Sequence, residues 1–237
     1  MQTRLCTTVS GIRTLLFDMD NTLFDLVGAK KKACHAITAY LGRDDGEYLY
    51  TYFTRGMYGY ENPAHIRDYM NDACCYTEPG FGECCRIYHE TKLSSVHCYP
   101  GVHETLSLLA RKGYKIAVVT DAHDHDAFGR LEKTGLRGLF HSVVTCDTTG
   151  RKKPDPVPFQ CAMQFLSATP EETMIIGDSL RRDIAPGNSL GLVTVYARYG
   201  DANADRCVDA PAHFILDDIR DLPRILSAGA GGQGHIE

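Results

Sequence analysis

Residues 14–23 read Thr14-Leu15-Leu16-Phe17-Asp18-Met19-Asp20-Asn21-Thr22-Leu23. An apolar run of strand length stops at two carboxylates separated by one residue. In an open α/β sheet, ligands bind at the carboxyl ends of the strands. Where a strand gives way to a loop, residues one apart need not point oppositely. Asp18 and Asp20 are therefore expected to converge on one small site. Two acids so close are costly unless a metal ion or a cationic side chain joins them.

After Leu23 the apolar period changes from strand to helix. Leu26, Ala29, Ala33, Ile37, Tyr40 and Leu41 recur at helical spacing, with Gly42 as the stop. From there to about Val96 the chain is rich in Tyr, Cys and charge. Helices are predicted at 61–76 and 82–93, with Pro79-Gly80 as the break between them. No β pattern is evident in this stretch.

Tyr99-Pro100-Gly101 opens a second regime. A helix from Val102 ends at Gly113, and the apolar strand 115–119 follows. The alternation continues with helix 124–133, strand 142–145, helix 156–166 and strand 173–176. Helix 181–190 and strands 193–196 and 213–216 complete it. Strands alternating with helices predict an α/β fold, a Rossmann-like parallel sheet covered on both faces. The core is then discontinuous, residues 1–23 and 98–226 around a helical insert at 24–97. The glycine-rich residues 227–237 are expected to be a disordered tail.

The 237 residues are 43% hydrophobic and 23% charged, the range of soluble globular proteins. A net charge of −5 argues against nucleic acid as the main partner. No segment is apolar and long enough to span a bilayer, and Met1–Cys6 lacks a signal peptide's apolar stretch. The expectation is a cytoplasmic protein with no membrane partner, whose ten cysteines are thiols. Cys74-Cys75 and Cys84-Cys85 invite a metal-site reading. Adjacent cysteines are not the usual two-residue-spaced ligand pairs, however, and they are read here as small buried hydrophobes.

Four loops follow apolar strands and share one edge of a parallel sheet. The first carries Asp18 and Asp20. The second is Val118-Val119-Thr120-Asp121, offering a hydroxyl and turn amides. The third, Arg151-Lys152-Lys153-Pro154-Asp155-Pro156, is cationic. The fourth, Ile175-Ile176-Gly177-Asp178-Ser179-Leu180-Arg181-Arg182-Asp183, adds two carboxylates. Carboxylates from two loops suit Mg²⁺, a hard oxygen-preferring cation. A hydroxyl, amides and a lysine suit a phosphate. A free carboxylate can attack phosphorus. Taken singly, each acid could instead cap the next helix; one cap does not explain two acids in the first loop.

These motifs in this order resemble those of the haloacid dehalogenase-like hydrolase superfamily, in the group with a helical cap inserted after the first strand. The resemblance covers nearly the whole chain. It implies that Asp18 is the nucleophile and a Mg²⁺ ligand. Asp20 would be the general acid and then the base, its main-chain carbonyl reaching the metal. Thr120 and the Asp121 amide would bind a phosphoryl oxygen. Lys153, which fits the Lys-Pro-Asp-Pro pattern better than Lys152, would offset charge on Asp18 and the phosphate. Asp178 would be a direct Mg²⁺ ligand, and Asp183 would hold the metal's shell or the lysine.

The implied activity is Mg²⁺-dependent hydrolysis of a small phosphorylated metabolite, a phosphomonoester, through an aspartyl-phosphate. Asp20 argues against dehalogenation, which has no alkoxide to protonate. A phosphomutase keeps the same acids and is the alternative; a non-catalytic interaction protein is a third reading. His123 and His125 either touch substrate or a second metal or, as favoured here, decorate a helix start. Pro186 fits only in a helix's first turn. The insert is expected to supply the wall facing the acids. Its Tyr48, Tyr50, Tyr52, Phe53, Arg55, Tyr58 and Tyr60 serve either as contacts there or, as favoured here, as packing between helices.

Overall fold

The computed structural model describes residues 11–201 and 210–228. Strand β1 (Thr14–Phe17) is fully buried and leads into the two acids. Next come the helices α1 (Leu26–Tyr40), α2 (Gly46–Thr54), α3 (Ala64–Asp72) and α4 (Glu78–Ser95). The chain then alternates through α5 (Val102–Arg111), β2 (Lys115–Val119), α6 (Asp124–Lys133) and β3 (Ser142–Val144). The short α7 (Cys146–Thr149) and α8 (Val157–Leu166) precede β4 (Thr173–Gly177). A wide turn at Leu180–Ile184 runs into α9 (Ala185–Ser189), before β5 (Val193–Ala197), β6 (Phe214–Leu216) and α10 (Leu222–Ala228).

Among the described residues the six strands form one parallel sheet in the order β3-β2-β1-β4-β5-β6. Phe17 is level with Val118 on one side and Ile176 on the other. The residues after these three strands therefore leave from one edge at nearly one height. Leu16, Val119, Phe159, Ala162, Met163 and Ile175 pack one face of the sheet against α8. Strands buried on both faces need no polar alternation, so β1 and β4 read as unbroken apolar runs.

The chain divides into two compact units, Met1–Asp25 with Cys98–Glu237, and Leu26–His97. In the first, Phe24 and Cys98 form an antiparallel bridge, so the outgoing and returning connections run side by side. In the second, α1 packs on α4 and α2 around Ile37, Leu49, Phe53, Ile66, Tyr69 and Tyr88. Tyr50, Tyr52 and Phe53 are buried in this core, as the packing reading expects, whereas Tyr48 and Tyr58 are exposed.

Three expectations for this unit are corrected. Pro79-Gly80 does not break a helix: Thr77 caps α4 by accepting from Gly80 N at 3.1 Å, and Pro79 sits in the first turn. Proline is tolerated there because that N–H has no helical partner. The helix α2 was not predicted at all, its tyrosines having masked an apolar face made of Leu49, Tyr52 and Phe53. The cysteine pairs are not uniformly buried either; Cys84 is, but Cys74 is exposed. Among the described residues no three of those sulfurs gather as metal ligands.

Pro186 lies in the first turn of α9, as expected. Ser227 and Ala228 belong to α10, not to a tail. The remainder of the expected tail lies outside the described residues, as does the N-terminal segment Met1–Cys6. No helix among the described residues is long and apolar enough to cross a membrane.

Candidate active site

The site begins with the turn that ends β1. Asp18 N donates to Ile176 O at 2.9 Å, continuing the sheet's pairing by one residue. Asn21 then adopts a left-handed conformation (φ 64°), which asparagine tolerates well, and Asn21 N and Leu23 N close the turn on Phe24 O and Met19 O. Gly200, just past β5, backs this turn. A Cβ there would lie 1.5 Å from Asn21 O, so only glycine admits the contact.

Asp18 is buried, and each of its oxygens has a partner. Lys153 Nζ donates to Oδ1, and Thr22 Oγ1 donates to Oδ2 at 3.1 Å. The same ammonium lies 2.6 Å from Asp183 Oδ1. Asp183 Oδ2 in turn accepts from Ser179 N at 3.1 Å. Lys153 and both acids are buried, so the three charges compensate one another where water does not reach. Gly177 makes room for the arrangement, since a Cβ there would lie 2.4 Å from the Asp183 carboxyl carbon.

These contacts separate the carboxyls electrostatically. Burial raises Asp18, but the Lys153 ammonium and the Arg182 guanidinium outweigh it and hold Asp18 below the ordinary carboxylate range. Burial lifts Asp183 to about 6, the attraction of Lys153 only partly opposing it. Asp178 is held well above the ordinary range by burial and by the like charges of Asp18 and Asp183. Lys153 is raised by the same two acids against the effect of its own burial.

Asp178 Oδ1 is buried and has no hydrogen-bond donor; the Nη2 of Arg182 is 3.9 Å away. Asp18, Asp178 and Asp183 each bring a carboxylate oxygen within 4.8 Å of the others. Three hard oxygen donors, one of them unsatisfied, fit a small divalent cation. The donor set suits Mg²⁺ and lacks the sulfur and nitrogen ligands that softer metals prefer.

Thr120 N donates to Val144 O at 2.9 Å, and Thr120 Oγ1 accepts from Ala122 N at 3.2 Å. Asp121 takes a part that the sequence does not disclose. Its Oδ1 accepts from Lys153 N at 2.8 Å and its Oδ2 faces Arg182 at 3.5 Å. It thereby fixes the lysine loop to the Thr120 loop. Lys153, not Lys152, enters the carboxylate cluster.

Asp20 is not in that cluster. Arg130 Nη1, from α6, lies 2.8 Å from Asp20 Oδ1 and 2.7 Å from Oδ2. The arginine side chain is buried, and its Nη2 is 3.5 Å from Asp126. Sequence reasoning missed Arg130, although a signal was present. Ala127, Arg130 and Leu131 fall on one face of α6, and an arginine on a helix's apolar face calls for a buried partner. His123 stands at the N-terminus of α6, as expected, and bonds Asp147.

The model of the haloacid dehalogenase-like hydrolase family matches residues 15–197, and the chain belongs to that family. A glyceraldehyde 3-phosphate phosphatase of Methanopyrus kandleri is 32% identical over 90% of this chain and 99% of its own. A phosphoglycolate phosphatase of Pseudomonas putida is 28% identical over 89% of this chain and 78% of its own. Among solved structures, a putative beta-phosphoglucomutase from Thermotoga maritima superposes with a TM-score of 0.78. It is 20% identical over 92% of this chain and 99% of its own, a likeness of fold.

Proposed function

We propose that this protein is a Mg²⁺-dependent phosphatase that hydrolyses a small phosphomonoester through an aspartyl-phosphate on Asp18. One observation carries the reading. Asp18 is a buried carboxyl kept ionised by Lys153 at the end of the central strand, beside an Asp178 oxygen with no donor. A carboxylate so placed is a nucleophile in waiting. The names of the relatives, phosphatases of two- and three-carbon phosphates, support the substrate class.

Asp18, Asp178 and the main-chain carbonyl of Asp20 would hold the Mg²⁺. When bound, the cation neutralises phosphoryl charge and orients it for in-line attack. A carboxylate oxygen of Asp18 forms a bond to phosphorus as the bond to the substrate alkoxide breaks. Thr120 Oγ1 and the Asp121 amide hydrogen-bond the phosphoryl oxygens, and Lys153 offsets their charge. Asp20 gives its proton to the departing alkoxide. It then takes a proton from the water that attacks phosphorus and releases phosphate, regenerating Asp18. Asp183 positions Lys153 and touches no reacting atom.

The test is hydrolysis of nitrophenyl phosphate with Mg²⁺ and with a chelator, for the parent and Asp18→Asn. The reading expects release that the chelator abolishes and the substitution removes, with the fold retained by circular dichroism. Release by folded Asp18→Asn would overturn the covalent route.

A further inference from the structure

We infer that His123, Cys146 and Asp147 form a second metal site, one for a thiolate-accepting ion such as Zn²⁺, apart from the carboxylate cluster. His123 comes from the loop after β2, and Cys146 and Asp147 begin α7 just after β3; β2 and β3 are neighbouring parallel strands whose exits share the same sheet edge. Their ligand atoms all lie within 4.8 Å of one another. Cys146 Sγ is 3.4 Å from His123 Nδ1 and 3.9 Å from Asp147 Oδ1, and His123 Nδ1 is 2.8 Å from Asp147 Oδ1.

The 3.4 Å sulfur–nitrogen separation falls within the edges of a zinc tetrahedron, whereas the 2.8 Å His123–Asp147 contact is shorter and the 3.9 Å Cys146–Asp147 contact longer. Zinc bonds of about 2.3 Å to sulfur and about 2.0–2.1 Å to nitrogen and oxygen give edges of about 3.3–3.6 Å. Ion binding would open the His123–Asp147 pair and draw Asp147 closer to Cys146. The donor types also select the metal. A thiolate with an imidazole suits zinc and disfavours magnesium, which prefers oxygen throughout. Three protein ligands leave a fourth position for water or an exchangeable ligand.

The surroundings hold the donors in place. Cys146 is buried, while His123 and Asp147 are exposed. Asp147 Oδ2 accepts from Asp124 N at 2.8 Å, which turns Oδ1 toward the histidine. Such support of a ligating carboxylate is typical of metal sites. Thr145 caps α7 and fixes the Cys146 backbone. Without an ion, the Nδ1–H of His123 donates to Asp147. Ion binding moves that proton to Nε2 and releases the Cys146 thiol proton to solvent. A bound ion would tie the Thr120–Asp121 loop to the segment after β3.

The test uses the full chain, stripped of metal and titrated with Co²⁺, then with Zn²⁺ in competition. The inference expects one equivalent of Co²⁺ to give a thiolate-to-cobalt charge-transfer band that Zn²⁺ abolishes. Cys146→Ser and His123→Ala should each weaken binding at least about tenfold, as loss of even an outer-shell partner does. His123 is exposed, so its variant tests the site without burdening the fold. Asp178→Asn should leave the band unchanged. Absence of the band, its survival in His123→Ala, or its loss in Asp178→Asn would overturn the inference and leave a hydrogen-bonded cap network only.

Discussion

Arg130 Nη1 contacts both carboxylate oxygens of Asp20, at 2.8 and 2.7 Å, from a position on α6 where its side chain is buried. The guanidinium engages Asp20 away from the cluster of Asp18, Asp178 and Asp183. The proposed chemistry therefore requires Asp20 to leave Arg130 when substrate binds. On that reading Arg130 is a positioning residue that holds Asp20 until then.

Arg130→Met should destabilise the protein by about 3 kcal/mol, the cost of stranding one member of a largely buried ion pair. In an Asp20→Asn background the same change should cost less, because no charge is stranded. Urea unfolding of the four proteins measures the coupling. Equal losses in both backgrounds would mean that the contact carries no energy.

Asp20→Asn should lower kcat about 10²–10⁴-fold on an alkyl phosphate, the usual worth of a general acid. With nitrophenyl phosphate, whose leaving group needs no proton, the first step should suffer far less. Single-turnover kinetics on the two substrates separates these steps. An equal loss on both would remove Asp20 from the acid role.

Lys153→Met should abolish turnover and destabilise the fold in a pH-dependent way. Without the ammonium, Asp18 and Asp183 are both raised. A carboxyl raised in the folded state binds its proton more tightly there than in the unfolded chain. Its contribution is full at acid pH and is lost as pH rises through its folded range. The variant's deficit at about pH 8 should thus exceed that at about pH 5 by at least about 1.4 kcal/mol, a tenfold change in proton affinity. Denaturation at the two pH values checks this; a constant deficit would contradict it.

Mg²⁺ competes with the proton on the raised Asp178. In metal-free protein its contribution is complete below the unfolded carboxyl range and fades as pH rises through the folded one. Mg²⁺ should therefore raise Tm more at about pH 8 than at about pH 5, since ligand stabilisation follows occupancy. Asp178→Asn should remove most of the increment. An increment independent of pH would place the cation elsewhere.

The fold was legible because its signals are local. The apolar runs at β1 and β4 and the helices between them can be read in windows shorter than twenty residues. Asp18, Asp178 and Asp183 were legible because each follows a strand, Lys153 because its cationic loop lies beyond β3, and parallel strands bring such residues to one edge. The pairing of Arg130 with Asp20 spans 110 positions, and nothing near either residue specifies the other. The part of Asp121 was hidden for the same reason, its partner being a backbone amide 32 residues away. In the second unit, tyrosine serves both as core and as surface. Periodicity therefore blurred α2, and Pro79 was read as a stop where it is a start.

The most direct measurement is rapid quenching of the enzyme with a ³²P-labelled phosphomonoester and Mg²⁺, followed by acid digestion and peptide mapping. The account expects a base-labile phosphoryl label on the peptide that contains Asp18, formed and lost at rates compatible with turnover, and absent from Asp18→Asn. Turnover with no labelled enzyme at any quench time, or with the label on another residue, would contradict it.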